Sequence, residues 1–107
     1  MSVPEITVTE LARRIAGGGA ALFDVRNPDE YDRAHVVGAR LVPLGDVPGR
    51  VGEFPTEGEV LVICHSGGRS AVAAEFLREH GVDAVNVAGG TKAWIDAGNP
   101  VETGGPA

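Results

Sequence analysis

The sequence predicts an α/β fold, a mostly parallel central sheet of about five strands with helices on both faces. Short apolar runs alternate along the chain with segments whose apolar residues recur at helical spacing, an order that favours crossover connections and parallel pairing. The clearest run, EVLVIC at 59–64, is almost continuously apolar, as is typical of a strand covered on both faces. With 107 residues, the chain has room for one such domain.

In the first half of the chain, a short strand is predicted at 6–8, and the helix after it has Thr9 as its predicted cap and a glycine run at its end. An apolar strand at 20–25 leads to a helix that begins at Asn27, because proline follows in the first helical position and a glutamate stands three residues after the cap. A weaker strand at 40–42 and a short helical turn come next.

In the second half, the strand at 59–64 is followed by the clearest helix, at 66–80. The apolar residues predicted on its buried face are Val72, Ala73, Phe76 and Leu77. A strand at 84–87 and a final helix, with Thr91 as its predicted cap and Trp94 facing inward, complete the pattern. We predict a leader at 1–4, the domain at 5–100 and a flexible tail at 101–107.

Charge and hydropathy argue against two classes of partner. Nine Lys and Arg against fifteen Asp and Glu give a net charge of −6, and without a basic run the chain is a poor candidate for binding nucleic acid or anionic lipid. The chain has no apolar run near the roughly 20 residues that a membrane helix needs, and its N-terminus lacks the features of a secretory signal. A cytoplasmic location is expected.

The single cysteine cannot form an internal disulfide, and it excludes a cysteine-rich zinc site. The three histidines have no metal-ligand spacing, so neither a metal nor a cofactor is expected. The sequence gives no sign of an obligate interface, and a monomer is predicted.

Cys64 closes the best strand, at the edge of the sheet where ligands bind in parallel α/β folds. A lone cysteine there is usually a small buried apolar residue, but two glycines follow that let several backbone N–H groups face one point. The helix N-terminus and Arg69 add positive charge, which lowers a cysteine pKa from about 8.5. We predict Cys64 as a nucleophile in an anion-binding loop of His65, Ser66, Gly67, Gly68, Arg69 and Ser70.

The loop resembles that of the rhodanese family of thiosulfate sulfurtransferases, Cys-x-x-Gly-x-Arg-Ser, and the likeness runs from about Ile6 to Pro100. Three further signatures of the family have similar segments in this chain: Asp24-Val25-Arg26 followed by Glu30-Tyr31; His35 with Gly38-Ala39 and Pro43; and Gly89-Gly90 with Ala93-Trp94 and Gly98-x-Pro100. Ala34 and Leu41 depart from the family, which commonly has Gly and Asn at those positions.

The resemblance implies that Cys64 accepts a sulfane sulfur from a small anionic donor such as thiosulfate. The resulting persulfide would pass the sulfur to cyanide, a thiol or a protein acceptor. Arg69 would orient the donor and help to hold the loop. Asp24 and Arg26 are predicted as supporting residues, either as an ion pair at the end of the second strand or through the charge of Arg26 at the site.

Two other functions stay open at this point. Phosphatases and arsenate reductases bind an oxyanion in a similar loop, but those of this fold usually have one residue more between Cys and Arg than the four at 65–68. The fold also serves as a sulfur-relay or docking module for a protein partner, although such modules often lack the cysteine that this chain has.

Overall fold

The central sheet has five parallel strands in a computed structural model that describes residues 3–104. The strands of the chain are β1 (Glu5–Ile6), β2 (Ala21–Asp24), β3 (His35–Val36), β4 (Arg40–Leu41), β5 (Glu59–Ile63), β6 (Asp83–Val87) and β7 (Val101–Glu102). Five of them form the sheet in the order β1-β6-β5-β2-β4, and every neighbouring pair is parallel. The predicted fold class is confirmed.

Helices cover both faces of this sheet. They are α1 (Val8–Ala16), α2 (Pro28–Arg33), α3 (Gly68–Glu79) and α4 (Gly90–Asp96), with two short 3₁₀ turns at Leu44–Asp46 and Pro48–Glu53. Alternate residues of β5 point to opposite faces: Val62 packs in one buried cluster with Leu77 of α3, whereas Leu61 packs in a second with Leu11 of α1 and Trp94 of α4. Burial on both faces explains why β5 is apolar from Val60 to Ile63.

The two ends of the described chain are more ordered than the sequence predicts. Val3 packs against the buried cluster on the α3 face, and the Pro4 carbonyl accepts a hydrogen bond from the Asn86 N–H at 2.9 Å. Val101–Glu102, predicted within a flexible tail, instead form an antiparallel ladder with β3. The ladder gives the backbone N–H and C=O groups of β3 hydrogen-bond partners. The rest of the predicted leader and tail, 1–2 and 105–107, lies outside the described residues.

The start of the first helix corrects one predicted cap. Thr7, not Thr9, is the N-cap of α1, because its hydroxyl oxygen accepts the Glu10 N–H at 3.2 Å and its carbonyl accepts the Leu11 N–H at 2.9 Å. Strand β1 accordingly ends at Ile6, two residues before the predicted end of the strand. The start of α2 is as predicted: Asn27 is its N-cap, and its N–H donates to the Glu30 carboxylate at 3.1 Å.

The buried face of α3 agrees with the prediction at Ala73 and Leu77, and Phe76 is partly buried against the same cluster, but the rest of the face differs. Ser70, Ala73, Ala74 and Leu77 point inward at the spacing of one helical face, whereas Val72, predicted to be buried, is 61% exposed. A serine therefore occupies the first inward position of the helix, directly beneath the predicted loop.

No helix within residues 3–104 combines the length and the apolar character that crossing a membrane would require.

Candidate active site

The Cys64 side chain lies at the carboxyl end of β5, under the turn that leads into α3. Its sulfur accepts a hydrogen bond from the Gly67 N–H at 3.1 Å, and the Ser70 hydroxyl oxygen lies 3.3 Å from it. Gly67 adopts a φ of 107°, a conformation that favours glycine, and this turn brings its N–H round to the sulfur. The cysteine itself is only 1% exposed.

The surroundings of the thiol favour its ionised form. Burial acts to raise the pKa of Cys64, but hydrogen bonds from the Ser70 hydroxyl and from the backbone N–H groups of Ser70, Gly67 and Ser66 act in the opposite direction. The hydrogen bonds prevail, and the pKa of Cys64 lies below its ordinary value. The arrangement therefore stabilises a nucleophilic thiolate, or a negatively charged group carried on the sulfur, at a lower pH than an ordinary cysteine would allow.

Three of the six predicted loop residues contact the sulfur, and three do not. Ser66, Gly67 and Ser70 supply the donors named above. Within residues 3–104, the sulfur receives no hydrogen bond from His65, Gly68 or Arg69. The His65 and Gly68 positions are exposed at the surface of the loop.

Arg69 braces the loop from the side. Its two terminal nitrogens donate to the two carboxylate oxygens of Glu30, at 2.7 and 2.9 Å, a paired geometry that joins α3 to α2. Hydrogen bonding from Arg69 lowers the pKa of Glu30 to about 2. Glu30 also accepts the Asn27 N–H, so one carboxylate both caps α2 and holds the loop arginine. The signature segment contained Glu30, but its contact with Arg69 was not predicted.

Asp24 and Arg26 form a buried ion pair at the end of β2, the first of the two predicted arrangements. The Arg26 guanidinium donates to both carboxylate oxygens of Asp24, with 2.8 Å as the shortest distance, and also to the Ala34 carbonyl at 2.8 Å. Asp24 is fully buried and Arg26 is 4% exposed. The pair fixes the segment that enters α2, and Arg26 also lines the pocket described below.

The start of α4 supports the loop from behind. The Thr91 N–H and hydroxyl both donate to the Cys64 carbonyl, at 2.8 and 2.9 Å, and the Lys92 N–H donates to the His65 carbonyl at 3.0 Å. The prediction that Thr91 caps this helix is therefore wrong. Gly89 is the N-cap. A Cβ atom on Gly90 would lie 2.5 Å from the His65 carbonyl oxygen, so only glycine permits this close approach.

A pocket of about 350 Å³ opens beside the loop. The residues that line it are Arg26, Glu30, Arg33, Ala34, His65, Arg69, Thr91, Lys92 and Ile95. Its charged side chains are four cations and one carboxylate. Each cation is also ion-paired: Arg26 with Asp24, Arg33 with Asp29, Arg69 with Glu30 and Lys92 with Asp96. The part of the chain that the structure describes places no group of three or more His, Cys, Asp or Glu side chains where they could hold a metal ion.

Comparisons with known proteins agree with this geometry. The sequence profile of the rhodanese-like domain family matches residues 7–97. The chain is 34% identical over 101 residues to a protein of Allochromatium vinosum named "Sulfurtransferase", covering 92% of this chain and 94% of that protein. It is 36% identical over 95 residues to the Bacillus subtilis "Putative sulfur carrier protein YrkF", covering 87% of this chain; the match spans 51% of that relative, about half of its length.

A solved structure has the same architecture. The crystal structure of a rhodanese-like domain protein from Staphylococcus aureus superimposes with a TM-score of 0.86 at 31% sequence identity, and the match covers 94% of this chain and 98% of that one. The likeness thus extends over almost the whole chain.

Proposed function

Because the chain belongs to the rhodanese-like domain family, we propose that it is a sulfurtransferase in which Cys64 carries the transferred sulfur as a persulfide. The observation that carries the proposal is the set of donors round the sulfur: the Gly67 N–H at 3.1 Å, the Ser70 hydroxyl at 3.3 Å and the Ser66 N–H, which together lower the pKa of Cys64. The names of its relatives, a sulfurtransferase and a sulfur carrier, support the same chemistry.

The first half-reaction is attack by the Cys64 thiolate on the outer sulfur of a donor such as thiosulfate. A sulfur–sulfur bond forms to Cys64, the sulfur–sulfur bond of thiosulfate breaks, and its electron pair leaves with sulfite. Charge is conserved, because a monoanion and a dianion give a persulfide monoanion and sulfite dianion. The donors round the sulfur would then stabilise the negative terminal sulfur of the persulfide.

The second half-reaction returns the enzyme to its starting state. A thiophilic acceptor, cyanide or a thiolate, attacks the terminal sulfur and takes it, and the electron pair of the broken bond returns to Cys64 as the thiolate. The acceptor thiolate can belong to a small molecule or to a protein. Two half-reactions through one covalent intermediate give ping-pong kinetics.

The pocket beside the loop suits an anionic donor. Its lining carries Arg26, Arg33 and Lys92 in addition to Arg69, whose charge is matched by Glu30. We assign Arg69 to holding the loop, because both of its terminal nitrogens are bound to Glu30. Arg26 is held in the same way by the buried Asp24. We therefore assign the orientation of a donor to Arg33 and Lys92, whose ion pairs with Asp29 and Asp96 are exposed to solvent and correspondingly weak.

Intact-mass spectrometry after incubation with thiosulfate tests the proposal directly. We expect one added sulfur atom on the wild-type protein, lost on addition of cyanide with release of thiocyanate. Cys64→Ser, which keeps a side chain of similar size, should gain no sulfur. Sulfur uptake by Cys64→Ser would overturn the mechanism. Hydrolysis of a phosphate ester by a wild-type protein that takes up no sulfur would instead support an oxyanion hydrolase.

A further inference from the structure

Asn86 lies beneath the active-site loop, although it belongs to the largely apolar strand β6, between β1 and β5. It is 1% exposed, and its neighbours in the pattern of β6 are apolar. In the parallel ladder with β1 it stands opposite Glu5. A polar side chain buried in such a strand must find partners for its donors and its acceptor, because leaving them without partners costs free energy.

The partners of Asn86 fix the orientation of its amide. The Nδ2 group donates to the Glu5 carboxylate at 2.8 Å and to the Gly67 carbonyl at 3.2 Å. Both partners are acceptors, so the nitrogen must face them and the Oδ1 atom must face the other way. There it accepts a hydrogen bond from the Ser70 hydroxyl, with 2.5 Å between the oxygens.

Both residues held by Asn86 are donors to the Cys64 sulfur. Asn86 binds the carbonyl of Gly67, whose N–H reaches the sulfur, and it binds the hydroxyl of Ser70, which lies 3.3 Å from the sulfur. Ser70 is fully buried, so its hydroxyl cannot hydrogen-bond to solvent instead. Its oxygen is thereby kept within reach of the sulfur, and its single proton can serve either Asn86 or a charged sulfur.

We infer that Asn86 is a positioning residue of the active site: its amide, oriented by Glu5, holds the Gly67 turn and the Ser70 hydroxyl against the Cys64 sulfur. The inference deepens the proposed function and rests on it for its biological meaning. It extends the site from the loop to β6 and, through Glu5, to the first strand of the chain. Asn86 itself does not touch the sulfur.

The charged and titratable groups near the loop come from several elements, and substitution of Asn86 or Ser70 leaves them in place. Arg69 and Glu30 face each other across α3 and α2, Asp24 and Arg26 are paired at the end of β2, and His65 follows the cysteine. Glu5 faces Asn86 from β1. A change in the titration of Cys64 in the Asn86 or Ser70 variants therefore reports the hydrogen bonds that were altered.

The test measures the rate of Cys64 alkylation by iodoacetamide against pH, which reads the thiolate without any sulfur donor. We expect Asn86→Ala and Ser70→Ala each to move the midpoint upward by about one pH unit, equal to about a tenfold lower rate below the midpoint. Because Asn86 acts through Ser70, the shift in the double variant should be smaller than the sum of the two single shifts. An Asn86→Ala midpoint that is unchanged or lower, the result expected if loss of Asn86 only freed the Ser70 proton for the sulfur, would overturn the inference, as would shifts that add fully.

Glu5 supplies a second test that does not disturb the core, because its side chain is exposed. Glu5→Gln and Glu5→Ala both remove the charge, but only Gln keeps an acceptor for the Asn86 amide. We expect the midpoint in Glu5→Ala to lie above that in Glu5→Gln; identical midpoints would contradict the role of Asn86. Alkylation needs no sulfur donor, so the result would still hold if the wild-type protein failed to take up sulfur. The positioning role of Asn86 and the proposed sulfur transfer can therefore be disproved independently.

Discussion

At the scale of single residues, Gly67 and Gly68 have different tasks although they are adjacent. Gly67 has a φ of 107°, and a Cβ atom there would lie 3.5 Å from the Gly89 nitrogen and 3.8 Å from the Asn86 amide. Gly68 has ordinary helical geometry at the start of α3, and a Cβ atom there would meet nothing within 4 Å. The turn that aims an N–H at the sulfur therefore depends on the first glycine alone.

We predict that Gly67→Ala destabilises the protein by about 1–2 kcal/mol, the cost of forcing a side chain into this backbone conformation. It should also slow the alkylation of Cys64, because the Gly67 N–H is displaced from the sulfur. Gly68→Ala is the matched control and should keep or slightly raise the stability, since alanine favours a helix. Thermal unfolding measures the change in stability, and the rate of reaction with iodoacetamide measures the change in alkylation. Equal stability and equal alkylation rates in the two variants would contradict the conclusion that the turn depends on Gly67 alone.

At the scale of elements, the Glu30–Arg69 pair joins α2 to the loop and to α3. The folded-state pKa of Glu30, about 2, lies below its ordinary value of 4.5. Such a carboxylate stabilises the fold above its ordinary pKa, and this contribution disappears as the pH falls from 4.5 through about 2. Part of the contribution is screened, because the Glu30 side chain is 24% exposed.

We predict that Glu30→Gln lowers the free energy of unfolding by about 1 kcal/mol at neutral pH. The difference from the wild type should shrink from pH 4.5 downward, be small at pH 2 and vanish below it. Urea unfolding at a series of pH values measures it. Asp32→Asn is the control, because Asp32 is exposed on the same helix and forms no ion pair within residues 3–104. A difference that persists unchanged at pH 2 would show that the loss of Glu30 acts through something other than charge.

The elements also explain what the sequence could predict and what it could not. The loop, the strand before it and the capping of α2 are local patterns, and all of them were predictable from adjacent residues. The contacts that were missed join distant positions: Thr91 with Cys64 are 27 residues apart, and Arg69 with Glu30 are 39 apart. Thr91 was predicted as a helix cap because threonine is a common N-cap residue, whose hydroxyl oxygen accepts a backbone N–H. In the folded protein α4 packs against the loop, and the Thr91 hydroxyl instead donates to the Cys64 carbonyl.

At the scale of the whole molecule, the pocket charge opposes the net charge. The chain carries −6, so a dianionic donor is repelled at long range, whereas four of the five Lys, Arg, Asp and Glu side chains that line the pocket are cations. Lys92 stands at this lining, and its N–H is fixed to the His65 carbonyl at 3.0 Å. A hydrogen bond to Asp96 raises the pKa of Lys92, so its ammonium group stays charged over the working pH range.

We predict that Lys92→Ala raises the KM for thiosulfate roughly fivefold with little change in kcat, the effect of removing about 1 kcal/mol of attraction between charges in contact with water. Lys92→Arg, which keeps the charge, should remain close to the wild type. Steady-state thiocyanate formation at low ionic strength measures both. Loss of kcat in Lys92→Ala with an unchanged KM would contradict a role in donor binding.

Access to the sulfur is the remaining property of the whole molecule that function requires. Cys64 is 1% exposed and does not line the pocket, so a donor reaches the sulfur only when the loop opens. We expect the opening to be local, because the positions of His65, Ser66 and Gly68 are exposed, while Arg69 and Thr91 hold the two sides of the loop. Alkylation of the folded protein should therefore fall steeply with the size of the reagent.

We predict that iodoacetamide reacts with the folded protein, whereas a bulky maleimide reacts far more slowly, and that the two rates approach each other in urea, where the barrier to access is gone. Arg69→Ala, which releases one side of the loop, should raise the maleimide rate of the folded protein toward the unfolded value. Single-hit labelling followed by mass spectrometry gives these rates on the one cysteine. If the ratio of the two rates were the same in the folded and unfolded protein, the loop would impose no size limit, and the sulfur would have to be reached by another route.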